Sequence, residues 1–186
     1  GSYTPLDLIT GVGPITAFQT GAGCNTDSIS PDITLPSTFL AAGGFPYNCR
    51  KYGSIRIANN GTLLIGNIGI ANTAATANMI TATTAVQADG FLSAFGANLV
   101  GSGTAANSLI SYASVGSDFV VEWRDMARTA ITTDTINFQI WISPSGLIQY
   151  KYGVCNPSTT STSTLSPYVG IRGQTQGDFT MRLINT

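Results

Sequence analysis

Short runs of alternating apolar and polar residues, separated by turn residues, make up most of the chain. Residues 54–58 alternate, Asn59-Asn60-Gly61 supply a turn, and residues 62–65 return, which is the pattern of a β-hairpin. The same pattern recurs over residues 119–124, 135–142, 147–152, 168–172 and 179–183. We therefore predict an all-β fold, an antiparallel β-sandwich of jelly-roll type with about nine or ten strands and at most one short helix.

Two regions depart from this pattern. Residues 70–86 are rich in Ala and Thr and could hold either a short helix or a long loop. Residues 1–20 read as two extended pieces, 6–10 and 14–20, around Gly11-Val12-Gly13. The expected organisation is an extended N-terminal segment, residues 1–20, that precedes one sandwich domain, residues 21–186.

The composition favours an extracellular protein. Only 9% of the residues are charged, where an ordinary soluble domain has about a quarter. Ser, Thr and Asn take the exposed strand positions instead. Eight basic residues and a net charge of −1 do not form a phosphate-binding surface, so nucleic acid is not an expected partner. No apolar run approaches the ~20 residues of a membrane helix, and we predict no membrane insertion.

Catalytic arrangements are difficult to build from these residues. The chain has no histidine, which excludes Ser-His-Asp triads and His-containing zinc sites. Glu122 and Asp125 are the carboxylates a glycosidase would need, but Glu122 lies beside Arg124 on a strand, where a cross-strand ion pair is the simpler interpretation. We therefore predict no enzyme, no metal site and no cofactor.

A structural calcium ion is left open rather than predicted. Loop aspartates of the type that calcium binds are spread along the chain without a clustered spacing, and as turn or cap residues they need no ion. They are Asp27, Asp32, Asp89, Asp118 and Asp178.

The three cysteines are an odd number, so at most one internal disulfide can form. Cys24 and Cys49 each lie beside loop-like residues, and we predict a bond between them. Cys155 is the alternative partner, and three buried free thiols are the other possibility. Asn60-Gly61-Thr62 fits an N-glycan acceptor at Asn60, although a hairpin turn explains these residues equally well.

A series of short segments in a fixed order resembles a known family. The segments are Gly44-Phe45-Pro46-Tyr47, residues 55–61, residues 89–95, residues 119–125, Asn137-Phe138-Gln139-Ile140, residues 146–153 and Val169-Gly170-Ile171. Over residues 34–184 the chain is similar to the nidogen-like domain and to related β-sandwich modules of secreted Bacteroidetes-type proteins. It departs from the family near residues 95–98, which lack a Trp and an acid usual there. Any calcium or polar role of that acid is therefore not carried over.

The resemblance implies an extracellular interaction or structural unit without catalytic residues. Asp27-Ser28-Ile29 and Asp134-Thr135-Ile136 also resemble the O-glycosylation pattern of such secreted proteins, which makes Ser28 and Thr135 glycosylation candidates.

The first functional hypothesis is a subunit of a cell-surface filament or fimbria-like fibre. Residues 1–20 would insert as a donor strand into a neighbouring copy, through the apolar side chains of Leu6, Leu8, Ile9, Ile15 and Phe18. A surface with few charges suits such packing, because little charge must be desolvated. The alternative is that this segment pairs within its own sandwich.

The second hypothesis is a carbohydrate-binding adhesion module of a larger secreted bacterial protein. Trp141 lies opposite the apolar face of its strand, where it could serve as a platform for a sugar. By the alternation, Gln139, Glu122, Arg56 and Lys151 could share that outer face. Burial of Trp141 under a second layer or a loop is the competing interpretation.

Overall fold

The predicted β-sandwich is confirmed: two antiparallel six-stranded sheets pack against each other through one large apolar core. The computed structural model describes residues 1–66, 80, 88–103, 107–129, 131–156, 167–175 and 177–183. Residues 70–79 and 81–86 of the predicted helix or loop lie outside the described residues.

The described residues form fourteen strands, more than the nine or ten predicted, because several strands are too short to show alternation in the sequence. They are β1 (Thr16–Thr20), β2 (Ile33–Thr34), β3 (Phe45–Tyr47), β4 (Arg50–Tyr52), β5 (Ser54–Ala58), β6 (Thr62–Ile65), β7 (Gly90–Gly96), β8 (Leu99–Gly101), β9 (Leu109–Val115), β10 (Asp118–Arg128), β11 (Ile131–Ile142), β12 (Ile148–Tyr152), β13 (Tyr168–Arg172) and β14 (Phe179–Leu183).

The described helical elements are short. The α-helix α1 spans Ser37–Ala41, and 3₁₀ turns span Leu6–Leu8 and Gly21–Asn25. Within the described ranges, no helix is long and apolar enough to cross a membrane.

The front sheet has the strand order β1-β9-β10-β11-β12, with β8 also paired to β10. The back sheet has the order β14-β13-β7-β6-β5-β2, and β3 and β4 form a separate hairpin. In the front sheet, Glu122 of β10 is paired with Gln139 of β11, which is paired with Lys151 of β12. This register places three of the predicted polar residues in one row.

Stacked aromatic rings join the two sheets. The Trp123 and Phe138 rings of the front sheet lie 5.0 Å apart at 13°, and Phe95 of the back sheet stacks on Phe138 at 5.5 Å. Trp123 Nε1 donates to the Asn59 carbonyl at 3.1 Å, so its polar group is satisfied inside the core. Burial of each such ring contributes about 1.5–3 kcal/mol or more.

The turn between β5 and β6 lies inside the protein. Gly61 has φ +80°, and a Cβ there would lie 2.2 Å from the Phe95 carbonyl oxygen. Only glycine allows both this left-handed conformation and this close approach. The Asn-Gly hairpin predicted from the sequence is therefore confirmed, with a packing role for its glycine.

The N-terminal segment is only partly extended. Residues 14–20 were predicted to be extended, and they contain β1, which pairs with β9 of the same chain. Residues 6–10 were also predicted to be extended, but Leu6–Leu8 form a 3₁₀ turn after Pro5. Leu6, the first residue of this turn, lies in an apolar cluster on the front sheet.

The predicted Cys24–Cys49 disulfide is wrong in this structure, because all three cysteines are free thiols. Cys24 is buried in the core after the Gly21–Asn25 turn, and Cys49 is exposed in the β3–β4 turn. Cys155 is also exposed. Of the three buried free thiols considered as the other possibility, all three are free but only Cys24 is buried.

Candidate functional site

The N-terminal segment crosses the outer face of the front sheet, opposite the core. We call residues 3–9 the strap. The Thr4 carbonyl accepts a hydrogen bond from Gln139 Nε2 of β11 at 2.7 Å, and Leu6 N–H donates to Glu122 of β10 at 3.1 Å. Beyond the strap, Gly13 N–H donates to the Ser114 carbonyl of β9 at 2.8 Å. The segment thus passes over β11 and β10 before it becomes the edge strand β1.

Leu6 anchors the strap. Its side chain is fully buried and packs with Ala113 of β9 and Val120 of β10. Leu8, two residues further, is 71% exposed. Among the predicted donor residues, Ile9 joins the Leu6 cluster and Phe18 packs against the main core. Ile15, at 40% exposure, faces solvent as Leu8 does.

Glu122 is the polar centre beneath the strap. Its Oε1 accepts hydrogen bonds from Tyr3 Oη at 3.0 Å, Leu6 N–H at 3.1 Å and Gln139 Nε2 at 2.8 Å. The residue is 1% exposed. Burial raises the pKa of the Glu122 carboxyl above its ordinary value, although these hydrogen bonds oppose the rise. Burial and the neighbouring Glu122 likewise raise the pKa of Tyr3.

The cross-strand ion pair expected for Glu122 is not its main contact, since its hydrogen-bond donors are Tyr3, Leu6 and Gln139. Arg124 instead pairs with Asp7 of the strap at 2.8 Å. Glu122 takes neutral donors, because the strap shields it and supplies two of them. Sequence reasoning could not find these partners, since Leu6 and Glu122 are separated by 116 residues.

The side chain of Trp141 is partly accessible, but its indole N–H and one face of its ring already have partners within the protein. Its Nε1 donates to Gln139 Oε1 at 2.8 Å, and Lys151 Nζ lies 3.3 Å from the ring centroid. Burial lowers the pKa of Lys151. A sugar that stacked on this ring face would have to displace the ammonium group.

Four of the five predicted glycan-binding residues share the outer face, and Arg56 does not. Arg56 lies on β5 of the back sheet, where it pairs with Asp32 at 2.5 Å. The shared face was therefore predicted correctly for Trp141, Gln139, Glu122 and Lys151. Burial of Gln139 and Glu122 by the strap was not foreseen.

A polar pocket of about 520 Å³ lies beside the strap, where β10 changes partner from β9 to β8. Asp125 stands there at φ +54° in a bulge of β10, and its N–H donates to Asn137 Oδ1 at 3.0 Å. The lining residues are Asp7, Thr20, Gly21, Asn107, Ser108, Leu109, Arg124 and Asp125.

The predicted glycosylation candidates differ in accessibility. Asn60 is 1% exposed, and its side chain bonds Leu99 N–H and Asp27, so the folded chain offers no room for a glycan there. Ser28 and Thr135 are half-buried, and Ser28 Oγ accepts from Gln19 Nε2 at 2.6 Å. Of the two explanations for Asn60-Gly61-Thr62, the structure supports the hairpin turn.

The loop aspartates do not converge. Asp32 pairs with Arg56, and Asp89 lies 3.7 Å from Arg50. In the part of the chain that the structure describes, no group of three or more acidic or cysteine side chains is arranged to hold a metal ion.

Comparison with known families identifies the family of this chain. The family model described as NIDO related matches residues 1–185, a range that includes the strap and β1. No curated protein and no solved structure matches the chain.

Proposed function

Because the chain belongs to the NIDO-related family, we propose that it is a non-catalytic, extracellular structural protein whose copies join by exchanging their N-terminal segments. Residues 1–20 of one copy would lie on the front sheet of the next, in a cell-surface filament or fimbria-like fibre. Its partners are then copies of itself.

The observation that carries this proposal is the peripheral position of residues 1–20. The strap lies on the outer face of the front sheet, and β1 is the edge strand of that sheet, paired with β9. A second copy offers the same sheet edge and the same site for Leu6. Exchange therefore conserves the contacts, as in domain swapping, and the segment leaves an open strand edge when it departs.

Gly21 and Gly23, in the turn that follows this segment, would act as its hinge. Gly21 has φ +50°, and a Cβ at Gly21 or Gly23 would meet nothing within 4 Å. Cys24, immediately after them, is fully buried and fixes the start of the remaining sandwich. A change of direction at these glycines would let the segment reach a neighbour, whose core would then receive Phe18 in place of its own. Exchange in one direction around the fibre gives an open, head-to-tail assembly.

The experiment compares full-length variants by negative-stain microscopy and light scattering. Wild type is expected to form filaments or oligomers, and Leu6→Asp is expected to stay dispersed because its charge cannot enter the apolar site. Leu8→Asp is the matched control and should assemble as wild type does. Dispersed wild-type particles at all concentrations, or filaments from Leu6→Asp, would refute the exchange proposal.

A carbohydrate-binding adhesion role is the second candidate, supported by the half-buried Trp141 on the outer face beside Lys151. A module of this kind would remain monomeric and bind glycans through the accessible part of the Trp141 side chain. A glycan array read with wild type and Trp141→Ala tests this role. Unchanged binding in the variant would exclude Trp141 as the platform.

A further inference from the structure

We propose that the strap is held by a proton-dependent latch centred on Glu122, which closes the strap in acid and loosens it near neutral pH. The latch concerns opening of the strap within one chain. Its consequence for assembly, that copies exchange segments more readily near neutral pH, rests on the function proposed above.

The hydrogen bonds of the latch converge on one oxygen atom of Glu122. Glu122 Oε1 accepts three hydrogen bonds, and two of the donors, Tyr3 Oη and Leu6 N–H, belong to the strap. The third donor, Gln139 Nε2, also bonds the Thr4 carbonyl of the strap at 2.7 Å. Opening the strap breaks all these contacts to the segment and returns the carboxyl group to water.

Closure and proton binding are linked because closure desolvates Glu122. In the closed state burial raises the pKa of Glu122 above its ordinary value of 4.5. With the strap open, the hydrated carboxyl group returns toward the ordinary value. Closure is therefore strongest below 4.5 and weakens as the pH rises through the raised pKa, where the buried group must carry its charge.

The pH effects of the charged and titratable groups around Glu122 can be distinguished from the effect of Glu122 itself. Tyr3 faces it from the strap, Arg124 and Asp125 lie on its own strand, and Lys151 lies one strand beyond Gln139. Asp7 of the strap pairs with Arg124. The pKa values of Tyr3 and Arg124 are both raised, so neither side chain loses its proton between weakly acidic and neutral pH. Asp7→Asn and Asp125→Asn variants measure what the two remaining carboxylates contribute.

The first experiment is hydrogen exchange of the full-length chain at pH 4.5 and pH 8, corrected for the intrinsic exchange rates. The reporters are the hydrogen-bonded amides of Leu6, Leu8 and Ile9. We expect the opening constant of the wild-type strap to be several-fold larger at the higher pH. Glu122→Gln keeps an acceptor oxygen without a titrating proton, so its strap should open equally at both. Equal opening of the wild-type strap, or a pH dependence that survives in Glu122→Gln, would overturn the latch.

A second measurement does not depend on the folding of that variant. Glu122 is the single glutamate of the chain, so a ¹³C-glutamate label reports its carboxyl group alone. Its pKa should be higher in wild type than in Leu6→Asp, in which the strap is detached. The same pKa in both proteins would contradict the proposal.

Failure of the latch and failure of the proposed function give different results. If the strap opens with the expected pH dependence but differently tagged copies never exchange, the latch stands and the filament proposal falls. If copies exchange equally at both pH values in wild type and in Glu122→Gln, the filament proposal stands and the latch falls.

Discussion

Replacing Leu6 with alanine tests the energetic basis of the strap. The substitution removes three carbon atoms from a fully buried side chain that packs with Ala113 and Val120. Such a change costs about 2–5 kcal/mol in a packed site. The strap lies on the surface and can partly settle into the vacated space, so we expect the low end, about 2–3 kcal/mol. This corresponds to a roughly 30- to 150-fold larger opening constant for the strap.

Native-state hydrogen exchange at a single pH measures that constant directly, because the strap can open without global unfolding. Leu8→Ala is the matched control: it makes the same chemical change two residues away, at a side chain that is 71% exposed. It should alter opening by no more than about 0.5 kcal/mol. Equal effects of the two substitutions would show that Leu6 is not the anchor, and the account of the outer face would have to be abandoned.

Two further predictions concern the rest of the sandwich. Gly61→Ala should cost on the order of 3 kcal/mol or more in urea denaturation, because both a positive φ and the contact with the Phe95 carbonyl must be relieved. Gly116→Ala, at φ +60° with nothing within 4 Å, should cost only about 1–2 kcal/mol, and similar losses in both would refute the steric argument. A thiol reagent should modify Cys49 and Cys155 in the folded chain and Cys24 only after unfolding, since Cys24 is buried and burial raises its pKa to about 11. Detection of one reactive thiol under denaturing, non-reducing conditions would instead indicate a disulfide.

The sequence predicts the fold class well because its strongest signals are local. The alternation over residues 54–58 and 62–65, with Asn-Gly between them, defines β5 and β6 almost to the residue. The pair β11 and β12 is found in the same way. Strands such as β2 and β8 have only two or three residues and are defined by their pairing with a neighbouring strand. They are too short for an alternating pattern to be recognised in the sequence.

The candidate site depends on contacts that the local pattern does not contain. Alternation correctly places Glu122, Gln139 and Lys151 on one face of one sheet, because the side-chain period of a strand is two. It cannot tell which segment covers that face. Tyr3 and Glu122 are separated by 119 residues, and the covering segment departs from a simple extended path at Leu6–Leu8. The prediction that Arg56 shares this face is wrong because β5 belongs to the back sheet. Which sheet a strand joins depends on pairing between segments that are distant in sequence, and the local pattern does not contain that information.

The buried hairpin between β5 and β6 has a consequence for the chemical lifetime of the protein. An Asn-Gly pair is prone to deamidation, because the glycine nitrogen can attack the side-chain amide of the preceding asparagine. Asn60 is 1% exposed, and its amide group is fixed by Leu99 N–H at 2.9 Å and by Asp27 at 3.2 Å. The side chain is thereby held away from the cyclisation it would undergo in a mobile loop. The fold thus protects the Asn60-Gly61 pair, so deamidation of Asn60 should be slow for as long as the sandwich stays folded.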